Sequence, residues 1–422
     1  AHRFDPATLK APQTHPCIHC GQCTNQCKRG GMTERQEYPR IRRMAENQSV
    51  VLIASTSPAV RVALGECFGE EPGSFSEGRM ISALRAIGFR YVLDTTFAVD
   101  LTIMEEASEL VRRLKSKWDG ESGSGRPMFT SCCPGWVSFA ELFYPQLLPD
   151  LSSVRSPVMM QGAVVKTWFA KQMEIDPESI VHVAITPCTA KKYEAQRPEM
   201  NAAGRAIGNE AIRDVDCALT CRETGQWIYE NRIRWNDLPD GEFDSLMGRG
   251  SGGAVIFGNT GGVMESALRT AWTMITNEKP PRKLFAFEPV RGLDGVKEAS
   301  VEIAGHPVKV AVISGSGNLR PFLDAILSGE KSYDFVEVMA CPGGCVGGGG
   351  QPKPNGNGRP TDALRSSRIA GLYAKDQELP RRCSTENPDV RKFYEEFAGE
   401  PLGEISRKLL HTTYTDRGIF RE

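Results

Sequence analysis

The cysteines of this chain are grouped in short motifs, and one group has the spacing of an iron–sulfur ligand set. Cys17, Cys20, Cys23 and Cys27 follow the C-x2-C-x2-C-x3-C pattern that holds [4Fe–4S] clusters. A zinc site usually has two pairs of ligands with a longer gap between them, so zinc is the weaker interpretation. The sequence has no second run of four, and the simplest assignment places all four thiolates on one cubane, with His19 as a spacer.

Five more cysteines lie in three widely separated motifs: Cys132 with Cys133, then Cys188, then Cys341 with Cys345. Each motif alone is also explained by a buried cysteine in a turn, but the three together favour one shared cluster. A helix start is predicted after Cys133, and its N–H groups can stabilise a thiolate. Adjacent cysteines cannot easily be equivalent ligands. If Cys133 binds iron, Cys132 is therefore a free thiol that could carry a proton.

The segment LTIMEEASELVRRL is predicted to be a helix with an apolar face and a charged stripe beside it. At 100° per residue, Glu106, Glu109 and Arg113 fall within about 60° of one another. From the helix alone, a solvated charged face is the favoured interpretation of this stripe. The apolar face is formed by Ile103, Ala107, Leu110, Val111 and Leu114.

Short apolar runs bounded by turn or helix-start signals are predicted to be the strands that position these residues. Helical patterns separate them, which indicates an α/β fold with parallel sheets flanked by helices on both faces. Ligands collect at the carboxyl ends of such strands, and the three cysteine motifs follow three of the runs. The predicted strands are SVVLIAS, FRYVLDTT, RPMFTS, VHVAITP, GAVIFG, VKVAVIS and FVEVMA.

Composition limits the classes of function and suggests two units. Residues 1–48 are polar and cysteine-rich and are predicted to form a small iron–sulfur module, whereas residues 49–422 form the main domain with a helical, polar tail. The formal net charge is -1, so no bulk field attracts nucleic acid or an anionic membrane. No apolar run approaches the roughly 20 residues that span a bilayer, and the first residues lack a signal-peptide core. A cytoplasmic protein with no nucleic-acid or membrane partner is predicted.

The three cysteine motifs, TSCCPGW at 130–136, TPCTAKK at 186–192 and EVMACPGGC at 337–345, resemble the signature motifs of [FeFe]-hydrogenases. The similarity in pattern covers nearly the whole chain from Ser49. It implies a two-lobed H-cluster domain that reversibly reduces protons to H2. The implied cofactor is an H-cluster, a [4Fe–4S] cluster linked by cysteine to a two-iron site with carbonyl, cyanide and a bridging dithiolate. The N-terminal motif implies one additional [4Fe–4S] cluster of the ferredoxin type.

The resemblance also implies roles for individual residues. Cys345 would bridge the two parts of the H-cluster, and Lys191 would donate to a cyanide. The implied cluster ligands are Cys133, Cys188, Cys341 and Cys345, and the implied pocket residues are Pro58, Ala59, Phe257 and Met339. The implied proton route runs in the order Cys132, Glu106, Ser152, Glu109 and Arg113.

The implied partners are ferredoxin or a similar electron carrier and the hydrogenase maturation proteins. Two alternatives stay open: a sensory hydrogenase, and an iron–sulfur assembly or scaffold protein of the related branch. The sequence differs from many family members at four positions. Thr186 stands in place of methionine, Ala59 in place of serine, and Val158 and Met159 in place of polar residues. The four remaining cysteines are interpreted as structural, although two of them could share one helical face. They are Cys67, Cys217, Cys221 and Cys383.

Overall fold

The computed structural model describes residues 17–121, 123 and 125–418 of the chain. Residues 1–16 of the predicted N-terminal module and residues 419–422 of the main domain lie outside this description. Within the described residues the strands are β1 Val51–Thr56, β2 Tyr91–Asp94, β3 Met128–Phe129, β4 Ile180–Thr186, β5 Cys217–Thr220, β6 Val296–Ile303, β7 His306–Ser314 and β8 Phe335–Met339.

Helices cover the strands and make up most of the C-terminal tail. The described α-helices are α1 Gln22–Gln26, α2 Tyr38–Ala45, α3 Glu77–Ala86, α4 Thr95–Trp118, α5 Pro134–Phe143, α6 Pro157–Val164, α7 Ala170–Gln172, α8 Ala190–Glu194, α9 Ala202–Ile207, α10 Cys221–Glu230, α11 Gly252–Ile256, α12 Gly262–Thr276, α13 Leu319–Leu327, α14 Asp362–Glu378, α15 Pro388–Phe393 and α16 Glu404–Leu410.

Two four-stranded sheets organise the described chain into two lobes, which confirms the predicted α/β class. The first has the order β2-β1-β4-β5, and all of its neighbours pair in parallel. The second has the order β3-β8-β7-β6, in which β6 is an antiparallel edge strand on β7. The predicted parallel pattern therefore holds everywhere except at β6. An antiparallel edge on an otherwise parallel sheet is common in large α/β folds.

One predicted strand is wrong and two strands were missed. The run GAVIFG forms the buried helix α11, which begins after Ser251, whose hydroxyl accepts the amide of Ala254 at 3.1 Å. A short run made only of apolar residues occurs both in buried helices and in buried strands, so its sequence pattern does not distinguish the two. The missed strands are β5 and β6. The possibility that Cys217 and Cys221 share one helical face does not hold, because Cys217 begins β5 and Cys221 begins α10.

Helix α4 lies between the lobes and contacts α6, α11 and α12. Its predicted apolar face is buried, since all five of the predicted residues are at most 8% exposed. The charged stripe is also largely buried: Glu106 is 1% and Glu109 4% exposed. The solvated face that the helix alone favours is therefore wrong. Helix α2 belongs to the predicted N-terminal module, and its residues Tyr38 and Ile41 pack into the core of the first sheet.

Candidate functional site

The thiols of the three motifs meet where β3, β4 and β8 end. The amide of Ala340, just after β8, donates to Sγ of Cys133 at 3.4 Å. Burial and, after it, the charge of the neighbouring Cys133 raise the pKa of the Cys188 thiol to about 12. The pKa of Cys345 is raised by burial and then by Cys188 and Cys133, and that of Cys341 by burial and then by Cys188. Cys188, Cys341 and Cys345 therefore each lie close enough to another thiol of the group for its charge to raise their pKa.

Glycines shape the loop that carries the last of these thiols. Gly344 has a φ of 87°, and a Cβ there would lie 2.7 Å from the amide nitrogen of Thr260. Only glycine fits such a close backbone approach in the left-handed region. Gly344 also forms an isolated bridge with Asn259, so it fixes the start of the turn Cys345–Gly347.

The donor set fits a four-iron cluster. Four cysteines from three segments converge in a largely buried place, and thiolates are the usual ligands of iron–sulfur clusters. Within the described residues, no three His, Cys, Asp or Glu side chains surround a position suited to one metal ion. A cubane is larger than an ion, and its four thiolates stand further apart around it. These four cysteines are Cys133, Cys188, Cys341 and Cys345.

An apolar pocket lies against this cysteine group. Cys132, Phe257 and Met339 belong to one buried cluster of side chains, on which Cys133 and Cys345 pack. The other apolar members of this cluster are Val99, Ile103, Ala254 and Val263. Helix α11, predicted as a strand, supplies Ala254 and leads directly into Phe257.

The turn Pro58–Val60 packs against the turn Cys345–Gly347 and against α11. Ala59 belongs to a buried cluster with Val346, on which Cys345 packs. Its carbonyl accepts the side-chain amide of Gln351 at 3.0 Å. The two pocket residues predicted from this turn are therefore buried next to the loop of Cys345.

Lys191 is a buried cation beside the free thiol. Its Nζ donates to the carbonyl of Cys132 at 3.2 Å and to Glu194 at 2.6 Å. Burial lowers the pKa of this ammonium, but the Glu194 carboxylate outweighs burial and the pKa is raised overall. Ser156 donates to the same carboxylate at 3.0 Å, which fixes it in place. Glu194 was missed by the sequence reasoning, although it lies three residues after Lys191 on α8.

The outer half of the predicted proton route is joined by hydrogen bonds. The hydroxyl of Ser152 donates to Oε2 of Glu109 at 2.9 Å, and Nη2 of Arg113 donates to Oε1 at 2.9 Å. Ser152 is fully buried, whereas the side chain of Arg113 is 28% exposed. These three residues therefore connect the interior to the surface.

The inner half consists of Cys132 and Glu106, which lie close enough to interact. Burial raises the pKa of Cys132 well above its usual value, and the next cause is Glu106. Neither carboxylate oxygen of Glu106 has a hydrogen-bond partner among the described residues. Burial, then Glu109, raises the pKa of Glu106 to about 8, although Ser131 and Ser152 are near enough to oppose this. A raised pKa of about 8 favours the protonated form of Glu106 at neutral pH.

We expect Glu106 to titrate near pH 8 in the folded protein. The folded chain keeps this proton to higher pH than the unfolded chain. The free energy of unfolding should therefore fall as pH rises from about 4.5 to about 8. The infrared band of this protonated carboxyl, measured before the two-iron site is loaded, should disappear as the pH rises through about 8 and should be absent in Glu106→Gln. As a control, Glu337→Gln should instead remove a band that titrates near pH 7, because burial raises that pKa to about 7. An unchanged spectrum in Glu106→Gln would contradict the assignment.

The N-terminal cysteines lie next to the main cysteine group. The pKa of Cys20 is raised by burial, and the thiols of Cys17, Cys23 and Cys133 raise it further. A Cβ on Gly135, the second residue of α5, would lie 3.7 Å from Cβ of Cys20. Backbone N–H groups, first that of Met32, hold the pKa of Cys27 below its usual value, which favours a thiolate.

Arg222 ties the N-terminal segment to the glycine loop after Cys345. Its guanidinium donates to Glu34 at 2.8 Å, to the side-chain oxygen of Asn25 at 3.2 Å and to the carbonyl of Gln351 at 2.6 Å. Asn25 in turn donates to the carbonyl of Gly348 at 3.1 Å. The two predicted cluster sites are thus held against each other by long-range polar contacts. No local pattern in the sequence marks Arg222 for this role.

The departures from the family pattern lie on buried surfaces. Val158 and Met159 of α6 pack with Ala184 in a separate apolar cluster, and Thr186 is the buried last residue of β4. None of the three removes a thiol from the group described above.

Comparison with known proteins identifies the family. The sequence profile described as iron only hydrogenase large subunit, C-terminal domain, matches residues 50–349. The chain belongs to the [FeFe]-hydrogenase family. A second profile, iron hydrogenase small subunit, matches residues 362–417, which contain most of the helical tail.

Solved and curated [FeFe]-hydrogenases are similar along most of the chain. The apo [FeFe]-hydrogenase HydA1 from Chlamydomonas reinhardtii superimposes with a TM-score of 0.79 and 38% identity over 91% of this chain and 100% of that chain. The periplasmic [Fe] hydrogenase large subunit of Nitratidesulfovibrio vulgaris is 46% identical over 79% of this chain and 76% of its own length. The predicted two-lobed hydrogenase fold is therefore confirmed.

Two further relatives set limits on what can be transferred. The NADP-reducing hydrogenase subunit HndD of Solidesulfovibrio fructosivorans is 44% identical over 95% of this chain, but the chain spans only 66% of that relative. The cytosolic iron-sulfur assembly component 3 of Bos taurus is 30% identical over 94% of this chain and 82% of its own length. Among the described helices, none combines the length and hydropathy that crossing a bilayer requires.

Proposed function

We propose that this chain catalyses the reversible reduction of protons to H2 with electrons from ferredoxin or a similar low-potential carrier. The observation that carries the proposal is a free thiol, Cys132, which packs against Cys133 and Cys345 of the four-cysteine group and interacts with the buried carboxylate of Glu106. A protein that only assembled or stored clusters would need the cysteine group but not the thiol and the line of acids behind it.

The residues around the cofactor would have separate tasks. Cys133, Cys188, Cys341 and Cys345 would hold the four-iron part of an H-cluster, and Cys345 would also hold the two-iron part. When bound, the H-cluster would supply the low-potential iron site at which protons and electrons combine. Lys191, kept cationic by Glu194, would face an anionic ligand of that site. The pocket would exclude water through Phe257, Met339, Pro58 and Ala59.

Protons would move along groups that this chain buries. Arg113, which stays charged, would hold Glu109 at the surface end of the route, where protons would enter from solvent, and the Ser152 hydroxyl connects Glu109 towards Glu106. With a pKa of about 8, Glu106 is protonated at neutral pH and can give its proton to the Cys132 thiolate. Cys132 would then deliver it to the pocket. Because its own pKa is raised, Cys132 takes the proton back readily when the reaction runs in the other direction.

Electrons would enter through the N-terminal cysteines, which would hold one additional [4Fe–4S] cluster. Cys17 and Cys23 are exposed, so an electron carrier can approach them, and Cys20 faces Cys133 on the inner side. We place residues 1–48 in this module and residues 49–422 in the catalytic domain. Loading of the two-iron site would require hydrogenase maturation proteins. The names of the relatives include both cytosolic and periplasmic proteins, so a cytoplasmic location stays a prediction.

The infrared spectrum of the purified chain, with and without maturation, tests the proposed function. The matured protein should show bands of iron-bound carbonyl and cyanide and should evolve H2 with a reduced carrier. Before maturation it should show only iron–sulfur absorbance, with iron for two cubanes. Iron–sulfur absorbance without carbonyl and cyanide bands after maturation would instead support the assembly function of the 30% identical relative.

A further inference from the structure

The last described residues of the chain cover the serine of the proposed proton route. Residues 411–417, here called the strap, run antiparallel to residues 152–155, with an isolated bridge between His411 and Val154. The amide of Thr412 donates to the carbonyl of Ser153 at 2.8 Å, and the amide of Arg155 donates to that of Leu410 at 2.8 Å. The strap is therefore paired along the segment that begins at Ser152.

The strap is anchored beyond this pairing as well. The amide of Thr415 donates to Oε1 of Glu141 on α5 at 3.0 Å, and the amide of Arg417 donates to the Glu141 carbonyl at 3.0 Å. At its other end, His411 lies 2.8 Å from the Ser153 hydroxyl and 3.0 Å from the Glu105 carboxylate. Both ends of the strap are thus fixed to helices, α4 at one end and α5 at the other, and Tyr414 is held in place between them.

Tyr414, in the middle of the strap, contacts the proton route itself. Its hydroxyl donates to the carbonyl of Ser152 at 2.5 Å. The other polar groups of Ser152 are also used: its amide donates to Phe129 at 2.8 Å and its hydroxyl to Glu109 at 2.9 Å. The amide of Val154 also donates to the hydroxyl oxygen of Ser152 at 3.2 Å. Tyr414 is therefore one of four hydrogen-bond partners that decide where the Ser152 hydroxyl points.

We propose that the strap is the outer wall of the proton route and that Tyr414 is a positioning residue, which holds Ser152 so that its hydroxyl faces Glu109. This inference rests on the proposed function. Tyr414 lies in the part of the chain that matches the small-subunit profile, whereas Ser152 and Glu109 lie in the large-subunit part. The small-subunit segment thus completes the proton route of the catalytic domain.

Tyr414→Phe in the full, matured chain tests this inference, because it removes one hydroxyl and keeps the ring. Loss of one hydrogen bond should slow H2 evolution about three- to tenfold and raise the ratio of rates in H2O and D2O. The carbonyl and cyanide bands should be unchanged. Before maturation, amide hydrogen exchange at residues 152–154 should be faster than in the parent chain.

A matched control and a double variant separate positioning from general loss of stability. Tyr394→Phe removes another buried phenol, which donates to Glu105 at 2.7 Å on α4 but lies outside the route. It should leave the rate and the isotope ratio unchanged. In a Ser152→Ala background, Tyr414→Phe should have no further effect on the rate, since it acts through Ser152.

The outcomes distinguish this inference from the proposed function. If Glu109→Gln lowers turnover about a hundredfold while Tyr414→Phe has the parent's rate and isotope ratio, the role of Tyr414 is overturned and the route stands. If Tyr414→Phe slows Ser152→Ala as much as it slows the parent, the action through Ser152 is overturned. If Glu109→Gln has the parent's rate, the route and the role of Tyr414 are overturned together.

Discussion

Cys132→Ala is expected to lower H2 evolution by about two to four orders of magnitude, the range that a positioned proton-transfer group contributes. In the proposed route, the Cys132 thiol alone carries protons between Glu106 and the pocket. Lys191 binds the carbonyl of Cys132 and not its thiol, so the ammonium should stay in place. The measurement is the rate of H2 evolution from a reduced carrier, together with the infrared bands of the loaded enzyme, which should persist.

The control for this variant is Cys217→Ala. Cys217 is also a buried thiol beside a glutamate, since its Sγ donates to Glu37 at 3.3 Å, but it lies in the core of the first sheet. Its loss should leave the rate unchanged. A Cys132→Ala enzyme that retains both its bands and the parent's rate would contradict the role of Cys132.

Glu109→Gln is expected to lower H2 evolution by about two orders of magnitude, because it replaces the carboxylate through which the route reaches the surface. The amide keeps the size of the side chain, and Ser152 and Arg113 keep a neighbour of similar shape. It cannot, however, take up a proton from the Arg113 side and pass it inwards. The rate should therefore fall while the infrared bands and the iron content remain.

Glu265→Gln is the matched control for this prediction. Glu265 of α12 is buried and, like Glu109, accepts from an arginine four residues later, Arg269 at 2.5 Å, but it contacts neither the route nor the strap. This variant should lower the free energy of unfolding by about 1–3 kcal/mol through its disturbed hydrogen bonds, with the rate of the folded enzyme unchanged. Equal losses of rate in both variants would show that the effect of Glu109→Gln is structural.

Much of the fold was predictable because its signals are local. The runs that became β1, β4, β7 and β8 are short and apolar with clear ends, and the 3.6-residue period of α4 extends over several turns. GAVIFG has no such period, and its assignment as a strand failed. β6 was missed although its burial alternates, because an exposed edge strand carries few apolar residues.

The sequence by itself determined which thiols, acids and ammonium are available and which of them follow strand ends. Those features depend on residue type and on spacing along the chain, and both are visible without a structure. Only the tertiary structure decided that the stripe of Glu106 and Glu109 is buried, because burial depends on α6, α11 and α12 packing around α4. It also decided which distant groups complete the site. Tyr414 reaches Ser152 across 262 positions of the chain, a distance over which no local pattern carries information.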